Sequence, residues 1–261
     1  MAFAKDYIDS LLQRGRHHFT MADMVLALQK SPDQVYRALK RLISRGQLAS
    51  PQRGFYVSVP PEYHSLGCLP PEQFIPQLMA FTGESYYLAL LTAAQFHGSA
   101  HHFPQRFQVM VTKPRSSIVC GKVHVDFFVR KNLDKITTVT KTTPRGYVRL
   151  SSPEATALDL VGYARSAGGL DHVATVLSEL WEVMDPAKLL EESKKSPLSW
   201  VQRLGFILES VSASDITSIL QSYIQEHAHR VTPLDSSLSI TGAKRCSRWK
   251  VAINTEIEAD L

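Results

Sequence analysis

Cysteine is scarce in this 261-residue chain: Cys68, Cys120 and Cys246 stand far apart, with no C-x-x-C spacing. That excludes a disulfide framework and a zinc knuckle, and it makes a reducing cytosol the expected compartment. Long apolar runs are missing too. The longest, around Tyr86 to Phe96, stops well short of the ~20 residues needed to cross a bilayer. The opening Met1-Ala2-Phe3-Ala4-Lys5-Asp6 lacks the apolar stretch of a signal peptide, so a cytoplasmic protein without a membrane partner is expected. No Ser, Pro or Gly tract marks a disordered arm. The phosphate cradles G-x-x-x-x-G-K-[ST] and G-x-G-x-x-G do not occur, nor do G-x-S-x-G and H-E-x-x-H. No catalytic residue, metal or cofactor is therefore expected, and the chain is expected not to be an enzyme.

What is present is a globular composition, 44% hydrophobic and 20% charged, enough to build a core. The net charge of +5 is unevenly placed. Residues 1–60 hold nine basic residues against four acidic ones, and the remaining 201 residues are balanced. A small cationic module ahead of a neutral body points to an anionic partner for the module, with nucleic acid the leading candidate. Ordinary solubilising surface charge is the alternative.

Periodicity favours the first reading. Tyr7, Ile8, Leu11 and Leu12 repeat at helical spacing over Asp6–Gly15. Thr20 is suited to cap a second helix that presents Met21, Met24, Val25 and Leu28 on one side. Ser31 followed by Pro32 is a start signal for a third, because the N–H that proline lacks would be unpaired at that position. This helix is predicted from Pro32 to about Ser44. Val35, Ala38, Leu39, Leu42 and Ile43 form its buried stripe; Asp33, Arg37, Lys40, Arg41 and Ser44 lie opposite, with Gln34 and Tyr36 on the borders. Gln47-Leu48-Ala49, a turn over Ser50–Gly54, and Phe55–Val59 read as a hairpin.

Two helices, the second with a basic outer face, followed by a hairpin describe a winged helix-turn-helix. An α-helix fits the major groove, where Arg, Lys and Gln reach base edges and phosphates. The predicted DNA-facing set is Ser31, Gln34, Tyr36, Arg37, Lys40, Arg41 and Arg53. Arg37 is the first choice for a base contact and Gln34 the second; Lys40, Arg41 and the wing-tip Arg53 hold the backbone. Winged helices also serve as protein-interaction modules, which is the competing reading.

Pro60-Pro61 closes the module and Pro70-Pro71 opens the next element. The expected organisation is a DNA-binding domain over 1–60, a linker over 61–70 and a body over 71–261. In the body, helices are predicted over Pro71–Phe81 and Ser85–Phe96. Strands follow over Phe107–Thr112, Ser117–Cys120, Val123–Val129, Ile136–Thr140 and Tyr147–Leu150. Five helices come next, over Glu154–Tyr163, Gly169–Met184, Pro186–Ser193, Ser199–Ser210 and Ser214–His227, and a last strand over Trp249–Ile253. Consecutive strands between helical stretches indicate an α+β body with a mostly antiparallel sheet flanked by helices.

Two clusters in the body carry polar chemistry. His97 and His101, with His102, have the spacing of metal ligands if they share a helix face; Gly98 and the lack of a nearby carboxylate favour a hydrogen-bonded loop. Cations from Lys113 to Arg149 outnumber the acids among them. They form either a second basic surface for an acidic protein or RNA, or solvated strand faces balanced by the later helices.

These residues resemble the AbiEi-type antitoxins of type IV toxin–antitoxin and abortive-infection (phage defence) systems. The resemblance rests on Ser31-Pro32-x-x-Val35-x-Arg37-x-Leu39-x-x-Leu42 with the wing return Phe55-Tyr56-Val57. More specific are Ala93-Ala94-Gln95-Phe96-His97-Gly98-Ser99-Ala100-His101-His102 leading into Pro104-Gln105-x-Phe107-Gln108-Val109, and Ser152-Pro153-Glu154-x-Thr156-Ala157-Leu158-Asp159-Leu160-Val161. The ending Trp249-x-Val251-x-Ile253-Asn254 is similar as well. The resemblance implies a transcriptional regulator whose winged helix binds inverted repeats in its operon's promoter as a repressor. It also implies a C-terminal domain that counteracts an AbiEii-type, nucleotidyltransferase-like toxin, without requiring a stable complex. If the basic surface of the body serves protection, Lys113, Arg115, Arg130, Lys131 and Arg149 are its candidates. The alternative is a winged-helix regulator whose body binds an effector or has an enzymatic activity.

Overall fold

The computed structural model describes residues 2–99, 105–211 and 214–259. Along the chain run α1 (Ala2–Gln13), β1 (His18–Thr20), α2 (Met21–Leu28), α3 (Pro32–Ser44), β2 (Leu48–Gln52) and β3 (Phe55–Ser58). Then come α4 (Ile75–Thr82), β4 (Tyr86–Leu88), α5 (Leu90–Phe96), β5 (Phe107–Val111), β6 (Ile118–Cys120) and β7 (Val123–Val129). Next are β8 (Thr138–Thr143), β9 (Gly146–Ser151), α6 (Pro153–Gly162), α7 (Leu170–Leu180), α8 (Pro186–Lys194), α9 (Leu198–Ser210) and α10 (Ser214–His227). Three short strands, β10 (Thr232–Pro233), β11 (Lys244–Cys246) and β12 (Val251–Ile253), complete the order. The fold is α+β with mostly antiparallel sheets, and its N-terminal region has the winged helix-turn-helix arrangement.

The chain divides into two compact units. One comprises Met1–Tyr86, Gln105–Lys131 and Thr140–Arg149; the other comprises Tyr87–Pro104, Asn132–Val139 and Leu150–Leu261. Both are discontinuous in sequence.

In the first unit the winged module has its own core, built from Ala4, Ile8, Leu11, Phe19, Met24, Val35, Leu39, Leu42, Leu48 and Tyr56. Burying each such large side chain is worth about 1.5–3 kcal/mol, so this stripe fixes which side of α3 is left outside. Thr20 caps α2 with a reciprocal capping box: its hydroxyl accepts from the Asp23 N–H at 3.1 Å, and the Asp23 carboxylate accepts from the Thr20 N–H at 2.9 Å. The sequence pattern missed β1. It pairs antiparallel with β3, His18 opposite Val57 and Phe19 opposite Tyr56, so the wing sheet has three strands in the order β1-β3-β2.

Residues 61–70, expected as a linker, form a 3₁₀ turn over Pro61–Tyr63 and then bury Cys68 and Leu69. The Lys122 N–H donates to the Leu66 carbonyl at 2.8 Å. The first unit continues with α4, after a 3₁₀ turn over Pro71–Gln73, and with β5, β6 and β7. β7 pairs antiparallel with β6 but parallel with β5, Val111 opposite Val129.

In the second unit α6 is buried along almost its whole length, from Glu154 to Val161. Ser152 caps it, accepting from the Ala155 N–H at 3.3 Å, and Pro153 occupies its first turn. The Tyr87 hydroxyl donates to the Asp159 carboxylate at 2.9 Å. Helices α5 to α10 and the mixed sheet β10-β12-β11 belong to this unit.

The helix predicted over Ser85–Phe96 is corrected. Tyr86–Leu88 is a strand, with Leu88 pairing parallel to Leu150, and the helix begins only at Leu90, whose φ is +53°. Adjacent aromatics suit an extended, half-buried backbone, and burial of Tyr87 beside Asp159 outweighs the helical spacing of the apolar residues. Among the described residues no helix is long and apolar enough to cross a membrane.

Candidate nucleic-acid interface

The best-defined polar surface is the outer side of α3 with the adjoining hairpin, all within the first unit. The Ser31 hydroxyl accepts from the Gln34 N–H at 3.4 Å, and Pro32 holds the first helical position. Ser31 thus acts as the N-cap, at the end of the helix from which Gln34, Arg37 and Arg41 rise turn by turn. Val35, Leu39 and Leu42 are buried, whereas Gln34, Arg37, Lys40 and Arg41 are exposed. Tyr36, an aromatic, is 53% exposed. The Arg37 Nε donates to the Asp33 carbonyl at 3.3 Å, which steadies the stem and leaves the other guanidinium nitrogens outward.

Charge is organised around this row. Arg16 pairs with Asp23 at 2.8 Å, so one of the four acids of the module is neutralised internally. Among the described residues, Arg37, Lys40, Arg41 and Arg53 make no ion pair. Four unneutralised cations on one small module make a surface suited to phosphate.

The wing is a tight hairpin. Gln52 pairs with Phe55, leaving Arg53 and Gly54 as the turn, and Gly54 takes φ +81°, which favours glycine. Arg53 is exposed at this tip. Four contacts fasten the hairpin. Phe55 packs between His18 and Phe81, with ring centroids at 5.9 and 5.6 Å, and Phe19 stacks on Tyr56 at 5.6 Å. The Arg115 Nη2 donates to Gln52 Oε1 at 2.7 Å. Sequence reasoning read the wing from its β-prone runs but missed this clasp, because His18, Phe81 and Arg115 are remote in sequence.

The second set of cations is dispersed in role. Arg115 is spent within the first unit: besides Gln52 it reaches Glu84 at 3.4 Å and lies over the Phe127 ring at 4.3 Å. Arg130 is 4% exposed and belongs to the interior. The guanidinium of Arg149 donates to the Tyr86 carbonyl at 2.8 Å and lies over the ring of Tyr86. Lys113 and Lys131 are exposed, each two residues beyond the paired Val111 and Val129, so they sit at matching strand ends. These two are the cations that the parallel pairing brings together.

His97 Nε2 lies 2.8 Å from the Ser151 carbonyl, the contact expected of a hydrogen-bonded loop. His101 and His102 lie outside the described residues. Among the described residues no group of three His, Cys, Asp or Glu is placed to hold a metal. In the second unit a cavity of about 260 Å³ is bordered by Arg165, Arg203 and Asp235. Arg203 donates to the Pro233 carbonyl at 2.8 Å, and Asp235 is held below the usual carboxylate range, chiefly by hydrogen bonds from Ser237.

Comparison with known proteins fits this architecture. Among curated proteins no sequence match is found. The solved structure titled as the RV2827C protein from Mycobacterium tuberculosis superposes with a TM-score of 0.67 at 17% identity. The alignment covers 96% of this chain and 91% of that one, so the similarity is one of fold and extends over nearly the whole length. Residues 87–210 match the family model described as the AbiEi antitoxin C-terminal domain. That segment of the chain is thus similar to the antitoxin domain of the AbiEi family.

Proposed function

We propose that this chain is a DNA-binding autorepressor of its own operon that also counteracts a nucleotidyltransferase-like toxin of the AbiEii type. In this reading residues 1–60 bind double-stranded promoter DNA at inverted repeats, residues 61–70 join the two parts, and residues 71–261 supply the antitoxin function. The observation that carries the DNA-binding half is the row Arg37, Lys40 and Arg41 on the open side of a helix whose other side is core. Ser31, Gln34 and Tyr36 flank the row, and Arg53 stands at the wing tip. Helix in the major groove and wing over the backbone is the docking mode such a module uses.

The antitoxin half rests on the family match. Lys113, Lys131 and Arg149 are its exposed cationic candidates; Arg115 and Arg130 contribute through the framework that carries them. No catalytic step and no cofactor enter this reading, and the chain acts as a regulator in the cytoplasm.

The test is a titration of the operon's upstream DNA with the full chain, beside co-expression with the neighbouring toxin. The combined variant R37A/K40A/R41A is expected to lose operator binding and repression while still protecting growth. Unchanged operator binding by that variant would overturn the assignment of α3. Failure of the unaltered chain to protect against the adjacent gene product would overturn the antitoxin pairing.

A further inference from the structure

Cys68 and Cys120, 52 positions apart in sequence, are neighbours in the first unit. Cys68 is fully buried and Cys120 is 9% exposed. Their backbones run side by side. The Lys122 N–H donates to the Leu66 carbonyl at 2.8 Å, and a Cβ built on Gly121 would lie 2.8 Å from the Gly67 Cα. Both glycines have positive φ, +73° and +59°, so two glycine turns permit an approach that side chains would block. This brings the two thiols within hydrogen-bonding contact of each other.

Asymmetry distinguishes the partners. The Cys68 thiol donates to the Cys120 sulfur, which raises the Cys68 thiol and lowers that of Cys120. The Ser50 N–H, from wing strand β2, also donates to the Cys120 sulfur and favours its thiolate. A thiolate-favouring sulfur beside a second thiol is the arrangement of a nucleophilic and a resolving cysteine. Cys246 lies in β11 of the other unit and takes no part.

We propose that Cys68 and Cys120 are an oxidisable thiol pair, closed to a disulfide by a peroxide, that links the stretch after the wing to strand β6. The Cys120 thiolate attacks one oxygen of the peroxide. The O–O bond breaks, hydroxide leaves, and a sulfenic acid remains on Cys120. The Cys68 sulfur then attacks that sulfur; the S–S bond forms as the S–O bond breaks, and the Cys68 proton departs with the oxygen as water. The two thiols together lose two electrons, and hydrogen peroxide is reduced to two waters. The Ser50 N–H thereby exchanges a thiolate-like acceptor for a weaker disulfide sulfur, so the wing strand senses the change.

The experiment treats the full chain with hydrogen peroxide, alkylates the unfolded product, and maps its peptides by mass. A Cys68–Cys120 linked pair, reversed by dithiothreitol, with Cys246 alkylated, is the expected result. In C68S, Cys120 should stop at a sulfenic acid that dimedone traps, and C246S should behave as the unaltered chain does. Full alkylation of both Cys68 and Cys120 at peroxide levels that oxidise Cys246 would overturn the proposal. So would over-oxidation of Cys120 without a link to Cys68. Hydrogen exchange of the Ser50 amide should quicken several-fold in the linked form; an unchanged rate would overturn the coupling to the wing.

Discussion

Gly205 of α9 lies directly against the six-membered ring of Trp249: a Cβ at that position would overlap Cζ3 and Cε3 of the fully buried indole. The glycine belongs to the segment that matches the antitoxin family model, whereas the tryptophan lies beyond it. The C-terminal strands are therefore part of the same core as α9. Gly205→Ala should destabilise the protein by ~1–3 kcal/mol through overpacking. Urea unfolding is the measurement, and an unchanged midpoint would show that the ring is free to shift.

At the proposed interface, Arg37→Ala should cost about 1–3 kcal/mol of affinity and relax the preference at one base pair. Competition titrations with operators substituted position by position read this out. A uniform loss across all substituted operators would place Arg37 on the phosphates instead.

Lys40, Arg41 and Arg53 should behave differently. Alanine at any one of them is expected to weaken binding to every sequence and to reduce the log–log salt dependence by about 0.9 per lost phosphate contact. Because all three side chains are exposed, thermal stability should stay unchanged, which separates lost contacts from lost folding. An unaltered salt slope at Arg53 would remove the wing tip from the contact set.

His17 and His18, at the strand that completes the wing sheet, are both held below their ordinary value, mainly by burial. Arg145 lowers His17 further while Glu62 opposes it; Arg16 lowers His18 and Asp23 opposes. Each group is neutral in the fold and protonates more readily when unfolded. Their contribution is therefore complete above the unfolded value of about 6.5 and is lost as pH falls from there through the lower folded values. Denaturant midpoints taken between pH 7.5 and 5 should decline. The double variant His17→Gln with His18→Gln should flatten that decline.

Arg115 and Lys113 offer a contrast within the second cationic group. Arg115→Ala removes the donor to Gln52 Oε1 and the partner of Glu84, and should cost about 1–3 kcal/mol of stability. Lys113→Ala should leave stability unchanged. A loss of toxin protection in Lys113→Ala at full stability would assign that surface a direct part. No loss in Lys113→Ala together with Lys131→Ala would remove it.

Much of the winged module is legible locally, because its signals are short-range. Ser31 with Pro32 starts α3, the spacing of Val35, Leu39 and Leu42 sets its inner face, and Gly54 permits the turn beside Arg53. Helices α6 to α10 and strands β5 to β7 likewise fall close to where periodicity puts them. The segment from Ser85 to Phe96 is ambiguous in sequence because its apolar residues fit a helix as well as a strand; burial of Tyr87 beside Asp159 and pairing of Leu88 with Leu150 select the strand.

The linear chain by itself determined where the cations concentrate, which side of α3 turns inward, and that the body carries an antitoxin-type pattern. Those properties reside in residue order and helical period, which need no distant partner. Only the tertiary structure decided that Arg115 serves the wing's support, that Arg130 is interior, and that Lys113 and Lys131 share one strand end. It alone set Cys68 beside Cys120 and Trp249 against Gly205. Each of these meetings joins residues well separated in sequence, and the free energy that selects them is burial and hydrogen bonding in the assembled core, which no local pattern records.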